Sequence, residues 1–227
     1  MSTLYIVATP IGNLEDFSSR AVDTLQKVDR IGCEDTRTSS ILLNHYGIEK
    51  SLFPFHQHNE HKQVERLAEM LNKGLDIALI TDAGMPGISD PGFLATRRAH
   101  QAGHKVSVIP GPDACTTALA ASGLPSDRYL FEGFLPPKKG RKSRFEEIAD
   151  REVTTVLYES PYRLIKALGQ LRDAAGENRL ICIARELTKK HEEIQRGAVG
   201  KLLTSWEERT SIKGEFVIVI SGKTYSE

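Results

Sequence analysis

The chain has 227 residues, 40% hydrophobic and 26% charged, the proportions of an ordinary globular protein long enough to bury a substantial core. Thirty basic and thirty acidic side chains cancel, so no global charge favours a polyanionic partner, and any nucleic-acid surface must be a local patch. The opening run MSTLYIVATPIGN lacks a basic n-region and is too short for a signal peptide or a membrane span, which leads us to expect a cytoplasmic protein with no membrane partner.

Short apolar, β-branched runs alternate with amphipathic stretches along nearly the whole chain. TLYIVATP reads as a first strand that stops at a Pro and Gly turn. In SSRAVDTLQKV the apolar Ala21, Val22, Leu25 and Val28 follow serine caps at helical spacing. DRIGC is a second strand, TRTSSILLNHYG a second helix closed by Gly47, and SLFPF a brief third strand. HKQVERLAEMLNKG is a strong helix, with Val64, Leu67 and Leu71 on one stripe and Gly74 as its stop. DIALI and KVSVI are continuous apolar runs of the kind expected in strands covered on both faces, with the helix FLATRRAHQAG as their crossover. The βαβ order predicts a mostly parallel sheet.

The pattern pauses at PGPDACTTALAASGLPSD, where a small-residue helix from Ala114 to Ser122 is fenced by Pro110, Pro112 and Pro125. A second series follows: YLFEGF strand, RKSRFEEIAD helix, VTTVLYE strand, YRLIKALGQLRDA helix, RLICIAREL strand, AVGKLLTSW helix, EFVIVIS strand. The expected class is therefore α/β, with two α/β domains of mostly parallel and mixed sheets. The boundary is expected near residues 112–126, giving domains of 1–117 and 118–227. Cys33, Cys115 and Cys182 are odd in number, widely spaced and set in or near apolar segments, which predicts buried reduced thiols and no metal site.

Ligands in open parallel sheets bind beyond the carboxyl ends of the strands. Neither the G-x-G-x-x-G dinucleotide fingerprint nor a Walker A sequence is present. Instead, TPIGN (9–13), TDAGMPGISDPG (81–92) and PGPDA (110–114) each follow an apolar strand. The second packs three glycines, two prolines and two aspartates into twelve residues. Glycine permits close backbone approach and proline removes loop entropy, so such loops suit a nucleoside ligand; the alternative is a set of tight βα turns, which accounts for TPIGN equally well but not for a loop as long as TDAGMPGISDPG. Asp82 either accepts from a ribose hydroxyl or an ammonium group, or closes an Asx-turn.

CEDTR sets Glu34, Asp35 and Arg37 after the second strand, either as catalytic groups or as an acidic helix start. ARELTKKHEE offers Arg185, Glu186, Lys189, Lys190 and His191 after another strand, with His191 expected on the solvated surface. LPPKKGRKSRF carries Lys138, Lys139, Arg141, Lys142 and Arg144, five cations in seven residues, suited to RNA phosphates or to a solvated helix cap. In FPFHQHNEH, Phe53, Phe55, His56 and His58 offer faces on which an unpaired base can stack, and the spacing of His56, His58 and His61 matches no metal site.

Six segments in order, TPIGNL (9–14), CEDTRTS (33–39), TDAGMPGISDPG (81–92), VIPGP (108–112), YESPYR (158–163) and ARELTKKHEE (184–193), resemble the tetrapyrrole methylase superfamily over essentially the whole chain. Within it they are closest to the branch that methylates a cytidine of 16S ribosomal RNA on its 2′-oxygen. The resemblance implies S-adenosylmethionine as cofactor in a cleft between the two domains, a homodimer, and 16S RNA or the small ribosomal subunit as partner. It carries cofactor contacts onto Pro10, Asp82, Ala83, Gly84, Ile88, Asp113 and Ala114, and onto Glu159, Ala184, Gly214 and Glu215. It favours Lys189 and Glu186 as catalytic groups, beside Asp35 of CEDTR; Arg37, Phe55 and the five cations of 138–144 are the expected RNA contacts. Members of that branch usually continue into a further small carboxyl-terminal region, where this chain stops at VIVISGKTYSE. Two other readings remain: a methyltransferase of corrin or porphyrin synthesis, and a non-catalytic RNA-binding module on the same fold.

Overall fold

The computed structural model describes residues 2–227. The chain divides into two compact units, Met1–Asp113 and Ala114–Glu227.

The first unit holds a wholly parallel sheet in the order β3-β2-β4-β1-β5, from β1 (Thr3–Val7), β2 (Arg30–Cys33), β3 (Ser51–Pro54), β4 (Ile77–Leu79) and β5 (Lys105–Ile109). Its helices are α1 (Ser19–Lys27), α2 (Thr36–His45), α3 (Glu60–Asn72) and α4 (Phe93–Gln101). The Ser18 hydroxyl caps α1 by accepting from the Ala21 amide, and the Asp35 carboxylate caps α2 by accepting from the Arg37 amide. Apolar side chains of α1 and α2 (Ala21, Leu25, Leu43) pack with Val7, Ile31, Ala78 and Ile80 on one face. Those of α3 and α4 (Val64, Leu67, Leu71, Ala95, Ala99) pack with Leu4, Ile6, Ile77 and Leu79 on the other. Gly32 is the thin point of β2: a Cβ there would lie 2.5 Å from Leu79 Cδ2 and 2.8 Å from Phe53 Cζ.

The continuous apolar run of β5 predicts a strand covered on both faces. Instead β5 is an edge strand paired only with β1, and Val108 is 52% exposed.

The second unit opens with α5 (Ala114–Ser122), followed by a mixed sheet in the order β6-β7-β10-β8-β9. Its strands are β6 (Tyr129–Phe134), β7 (Thr154–Glu159), β8 (Leu180–Arg185), β9 (Glu193–Ala198) and β10 (Phe216–Ile220). β6 and β7 are parallel, whereas β10 runs antiparallel to both β7 and β8. Helices α6 (Arg141–Asp150), α7 (Leu164–Ala175) and α8 (Val199–Glu207) bury Phe145, Ile148, Leu168, Leu171, Leu203 and Trp206 against Leu157, Ile183, Phe216 and Ile218. Helix α5 lies against β7, β8 and β10 outside that cluster. The edge strand β9, EIQRGA, has no apolar run to announce it; six pairs with β8 hold it. All three cysteines are buried.

Candidate functional site

In the first unit the chain leaves β1 toward β2 through α1, on one face of the sheet, and leaves β4 toward β5 through α4, on the other. β1 and β4 are neighbours, so the loops after them part at one point on the carboxyl edge, the topology that opens a ligand crevice in such sheets. The loops are joined there. Thr9 and Gly84 form an antiparallel bridge, with the Thr9 hydroxyl donating to the Thr81 carbonyl at 3.0 Å. At the far end of the loop, Glu60 accepts from the Gly92 amide at 3.0 Å and the Leu94 amide at 3.3 Å, so a carboxylate from α3 caps α4, whose own N-cap glycine has no side chain to do so.

The loop concentrates acids. The Thr81 hydroxyl donates to Glu34 Oε2 at 3.0 Å, and Asp82 Oδ1 accepts from the Asp35 amide at 3.3 Å. Asp90 is pushed up to about 6, mainly by burial and then by the Glu34 charge, with Asp82 adding to the rise and a hydrogen bond with Thr81 opposing it. Burial also raises Asp82, helped by Glu34 and Asp35 and opposed by the Asp35 amide. Asp35 behaves oppositely. Its side-chain hydrogen bond with Arg37, backed by the Arg37 amide, holds it down at about 2.

In the second unit the turn between β8 and β9 is strained, with Glu186 at φ +50° and Thr188 at φ +66°. Lys189 Nζ donates to Glu186 Oε1 at 2.9 Å and to Glu215 Oε2 at 2.8 Å, and Glu186 Oε1 also accepts from the Glu215 amide at 3.0 Å. Gly214 sits at φ +102°, where a Cβ would fall 2.5 Å from Glu186 Cγ. Burial works to lower the Lys189 pKa, but its hydrogen bonds to Glu215 and Glu186 carry it above the ordinary lysine value. Burial likewise works to raise Glu186, and Lys189 with the Glu215 amide brings it down. The pair is an ion pair with a fixed cation.

The family model for tetrapyrrole (corrin/porphyrin) methylases matches residues 3–203. The chain belongs to this family. It is similar to a protein named ribosomal RNA small subunit methyltransferase I from Haemophilus influenzae, 48% identical over 227 residues, covering 99% of this chain and 80% of that one. The protein of that name from Thermotoga maritima is 42% identical over 223 residues, covering 98% of this chain and 100% of that one. Among solved structures, diphthine synthase superposes with a TM-score of 0.74 at 14% identity, covering 100% of this chain and 92% of that chain. Uroporphyrin-III-C-methyltransferase from Thermus thermophilus gives 0.65 at 18%, covering 98% and 95%. At such identities the likeness is one of fold.

In this tetrapyrrole methylase several residues expected at the site are buried or already partnered. Phe55 is 3% exposed in the core beside Phe53, so it offers no face to a base. Arg141 is 2% exposed; its guanidinium donates to Glu159, to Gln170 Oε1 at 3.0 Å and to the Pro136 carbonyl at 3.4 Å, so it is no phosphate contact. Glu159 is buried and accepts from Arg141, from Arg163 Nε at 2.9 Å and from the Ser160 amide at 2.7 Å, so its carboxylate is committed mainly to the protein. Ala184 is fully buried between β10 and β9. Gly84 spends its amide and carbonyl on Thr9, so it shapes the loop and does not present donors. Asp35, paired with Arg37 and capping α2, is held as a weakly basic carboxylate.

Others are accessible: Asp82, Ala83 and Glu215 are exposed, Ile88 is 46% exposed, and Asp113, Ala114 and Gly214 are half-buried, while Pro10 lies beneath the surface. Arg37, Lys138, Lys139 and Lys142 are exposed, and Arg144 is half-buried with Glu132 and Glu147. His191 is exposed. Asp90 and Arg163 stand in segments singled out by sequence, but their burial and pairing cannot be read from composition. Among the described residues, no cluster of three His, Cys, Asp or Glu side chains is arranged to hold a metal, and no helix is long and apolar enough to cross a membrane.

Proposed function

We propose that the chain is an S-adenosylmethionine-dependent methyltransferase of small-subunit ribosomal RNA, acting on the 2′-oxygen of a cytidine in 16S RNA. The observation that carries this reading is 48% identity across 99% of the chain to a relative named as a small-subunit RNA methyltransferase. The switch-point loop supports it with an exposed carboxylate at Asp82, an exposed apolar side chain at Ile88 and backbone turns at Gly84 and Gly87, chemistry that fits a nucleoside with an amino-acid tail. We assign its binding in the first unit to Asp82, Ala83, Ile88 and Asp113. When bound, the cofactor supplies an electrophilic methyl group.

The protein must hold the acceptor hydroxyl in line and take its proton. Asp90, with its pKa near 6, suits the proton acceptor better than Asp35, because a base poised near neutrality is both ionised and strong enough to use. Lys189, held charged by Glu186 and Glu215, stabilises negative charge as it develops. The protein works as a homodimer in the cytoplasm under this reading, which light scattering at micromolar concentration checks for the dimer.

The decisive assay offers tritiated S-adenosylmethionine with naked 16S RNA, assembled small subunits and a tetrapyrrole precursor. Label in an alkali-resistant, 2′-O-methylated cytidine dinucleotide is expected from one of the RNA substrates. Label in the tetrapyrrole alone would instead establish the activity in the family's description, and binding of RNA without transfer would mark a non-catalytic module.

A further inference from the structure

Resting on the RNA reading above, we propose that an unpaired stretch of RNA lies across the carboxyl ends of β6 and β7, its phosphates on Lys138, Lys139 and Lys142 and its bases stacked on Phe134 and Tyr162.

A bulge in β6 creates the aromatic part. Its register with β7 shifts between Phe131 and Gly133, and Gly133 takes φ +61°. Residues three apart on a regular strand face opposite sides of a sheet. Across this bulge Phe131 and Phe134 instead both reach the Tyr158 ring, with centroids 5.0 and 5.5 Å away in edge-on geometry. Leu157 and Glu159, the neighbours of Tyr158 along β7, are buried, Leu157 among α6, α7 and α8, so the aromatic cluster lies on the opposite face of the sheet. Phe134 at its end is 58% exposed, and Tyr162, in the turn after β7, is 95% exposed.

The basic part is built against this edge. Lys138 and Lys139 follow Phe134 after LPP, are exposed, and enter no ion pair among the described residues, while Lys142 stands 3.8 Å from Glu146. Buried Arg141 holds both ends of this loop, being its own exit residue and donating to the Pro136 carbonyl at its entrance. Glu159 then joins Arg141 to Arg163, the residue after Tyr162. One buried carboxylate therefore fixes the lysine loop and the Tyr162 turn in a single frame. Three cations in the loop that follows Phe134, with exposed aromatic faces at Phe134 and Tyr162, complement a charged backbone with splayed bases, and do not complement a second copy of the same basic patch.

The test measures binding of the full chain to a labelled 12-nucleotide oligouridylate and to a 12-base-pair RNA duplex across a salt series, alongside methyl transfer to 16S RNA. Phe134→Leu and Tyr162→Ala are each expected to weaken oligouridylate binding roughly 5- to 100-fold and to leave duplex binding alone, because only unpaired bases can stack. Tyr162→Phe should restore it. Lys138→Ala with Lys139→Ala should weaken both ligands and flatten the log–log salt slope on the single strand by about 0.7 for each phosphate that is no longer neutralised. Unchanged affinities in folded variants, with the wild type still methylating RNA, would overturn the patch alone. A wild type that neither binds nor methylates RNA would overturn the functional reading with it. Loss of the dimer in Phe134→Leu, with RNA affinity intact, would assign the face to a second copy and overturn the proposal.

Discussion

Thr9 and Gly84 exchange two backbone hydrogen bonds, 2.9 Å from the Thr9 amide and 3.1 Å from the Gly84 amide, across the ends of adjacent parallel strands. The bridge fixes the root of the loop that carries Asp82, Ile88 and Asp90, and Gly84 makes it at φ +86°. A Cβ at Gly84 would meet nothing closer than Ile11 Cγ2 at 3.6 Å, so the position needs glycine for its backbone angle and not for space. Gly92 differs, combining φ +141° with a Cβ that would fall 2.9 Å from the Gly87 nitrogen. Gly84→Ala is expected to cost about 1 kcal/mol of stability, from left-handed strain alone. Gly92→Ala should cost more, and weaken S-adenosylmethionine binding further. Denaturant titration and calorimetry on both variants check the order; equal, wild-type cofactor affinities would remove this loop from the site.

Asp90 gives the protein a pH signature. Its folded value of about 6 exceeds the ordinary 3.8, so the fold holds this proton more tightly than the unfolded chain does. The resulting stabilisation is complete below about pH 3.8 and is lost as pH rises through about 6. Asp90→Asn, neutral throughout, should therefore be the more stable protein above pH 6, by about 1–2 kcal/mol, with the advantage vanishing near pH 4. As proton acceptor, Asp90 should also set the acidic limb of the rate profile, and its loss should lower kcat by roughly 10²–10⁴. A wild-type rate in Asp90→Asn would move the base elsewhere.

The order of strands and helices was legible because most elements announce themselves by period: α3 by Val64, Leu67 and Leu71, β10 by an unbroken FVIVI. β9 was invisible, since EIQRGA is held by a ladder and not by its own burial. β5 misled, as KVSVI is as apolar as a central strand yet lies on the edge. At the site, local chemistry located the loops but not the direction of side chains. Phe55 and Arg141 carry the residue types that RNA needs, and both point inward, where Phe55 fills the α3 face and Arg141 meets Glu159. The same limit hid Asp90, whose altered acidity comes from burial and from Glu34, remote in sequence.

The Arg141–Glu159 pair should behave as a buried ion pair whose breaking costs more than its deletion. Arg141→Met leaves Glu159 with Arg163 and the Ser160 amide, and Glu159→Leu leaves the Arg141 guanidinium buried with only Gln170 and the Pro136 carbonyl. Each single change is expected to cost about 3 kcal/mol, and the double change less than their sum. A urea double-mutant cycle reads the coupling directly. Strict additivity would mean that the pair contributes no mutual stabilisation, and that the lysine loop is held by other interactions.

Lys189 is expected to act as a cation and not as a base. An ammonium has three donors, and its bonds to Glu186 and Glu215 use two of them. Those bonds keep the group protonated well past neutrality, so it cannot accept the proton of a ribose hydroxyl, but it can stabilise charge developing on the oxygen or hold a phosphate. Lys189→Met should then lower kcat by about 10²–10³ with little change in cofactor affinity, while leaving the acidic limb of the pH profile where Asp90 sets it. Lys189→Arg, which keeps the charge but not the compact ammonium geometry, should recover part of the rate. Glu186 tests the same arrangement from the other side. Its φ of +50° is a left-handed angle that glycine adopts freely, so Glu186→Gly relieves backbone strain while releasing Lys189 from one of its two anchors. The variant should keep its stability within about 1 kcal/mol and lose rate, because the cation is no longer held in place. Undiminished turnover in Glu186→Gly would show that Glu215 alone positions the lysine; undiminished turnover in Lys189→Met would remove this turn from the chemistry.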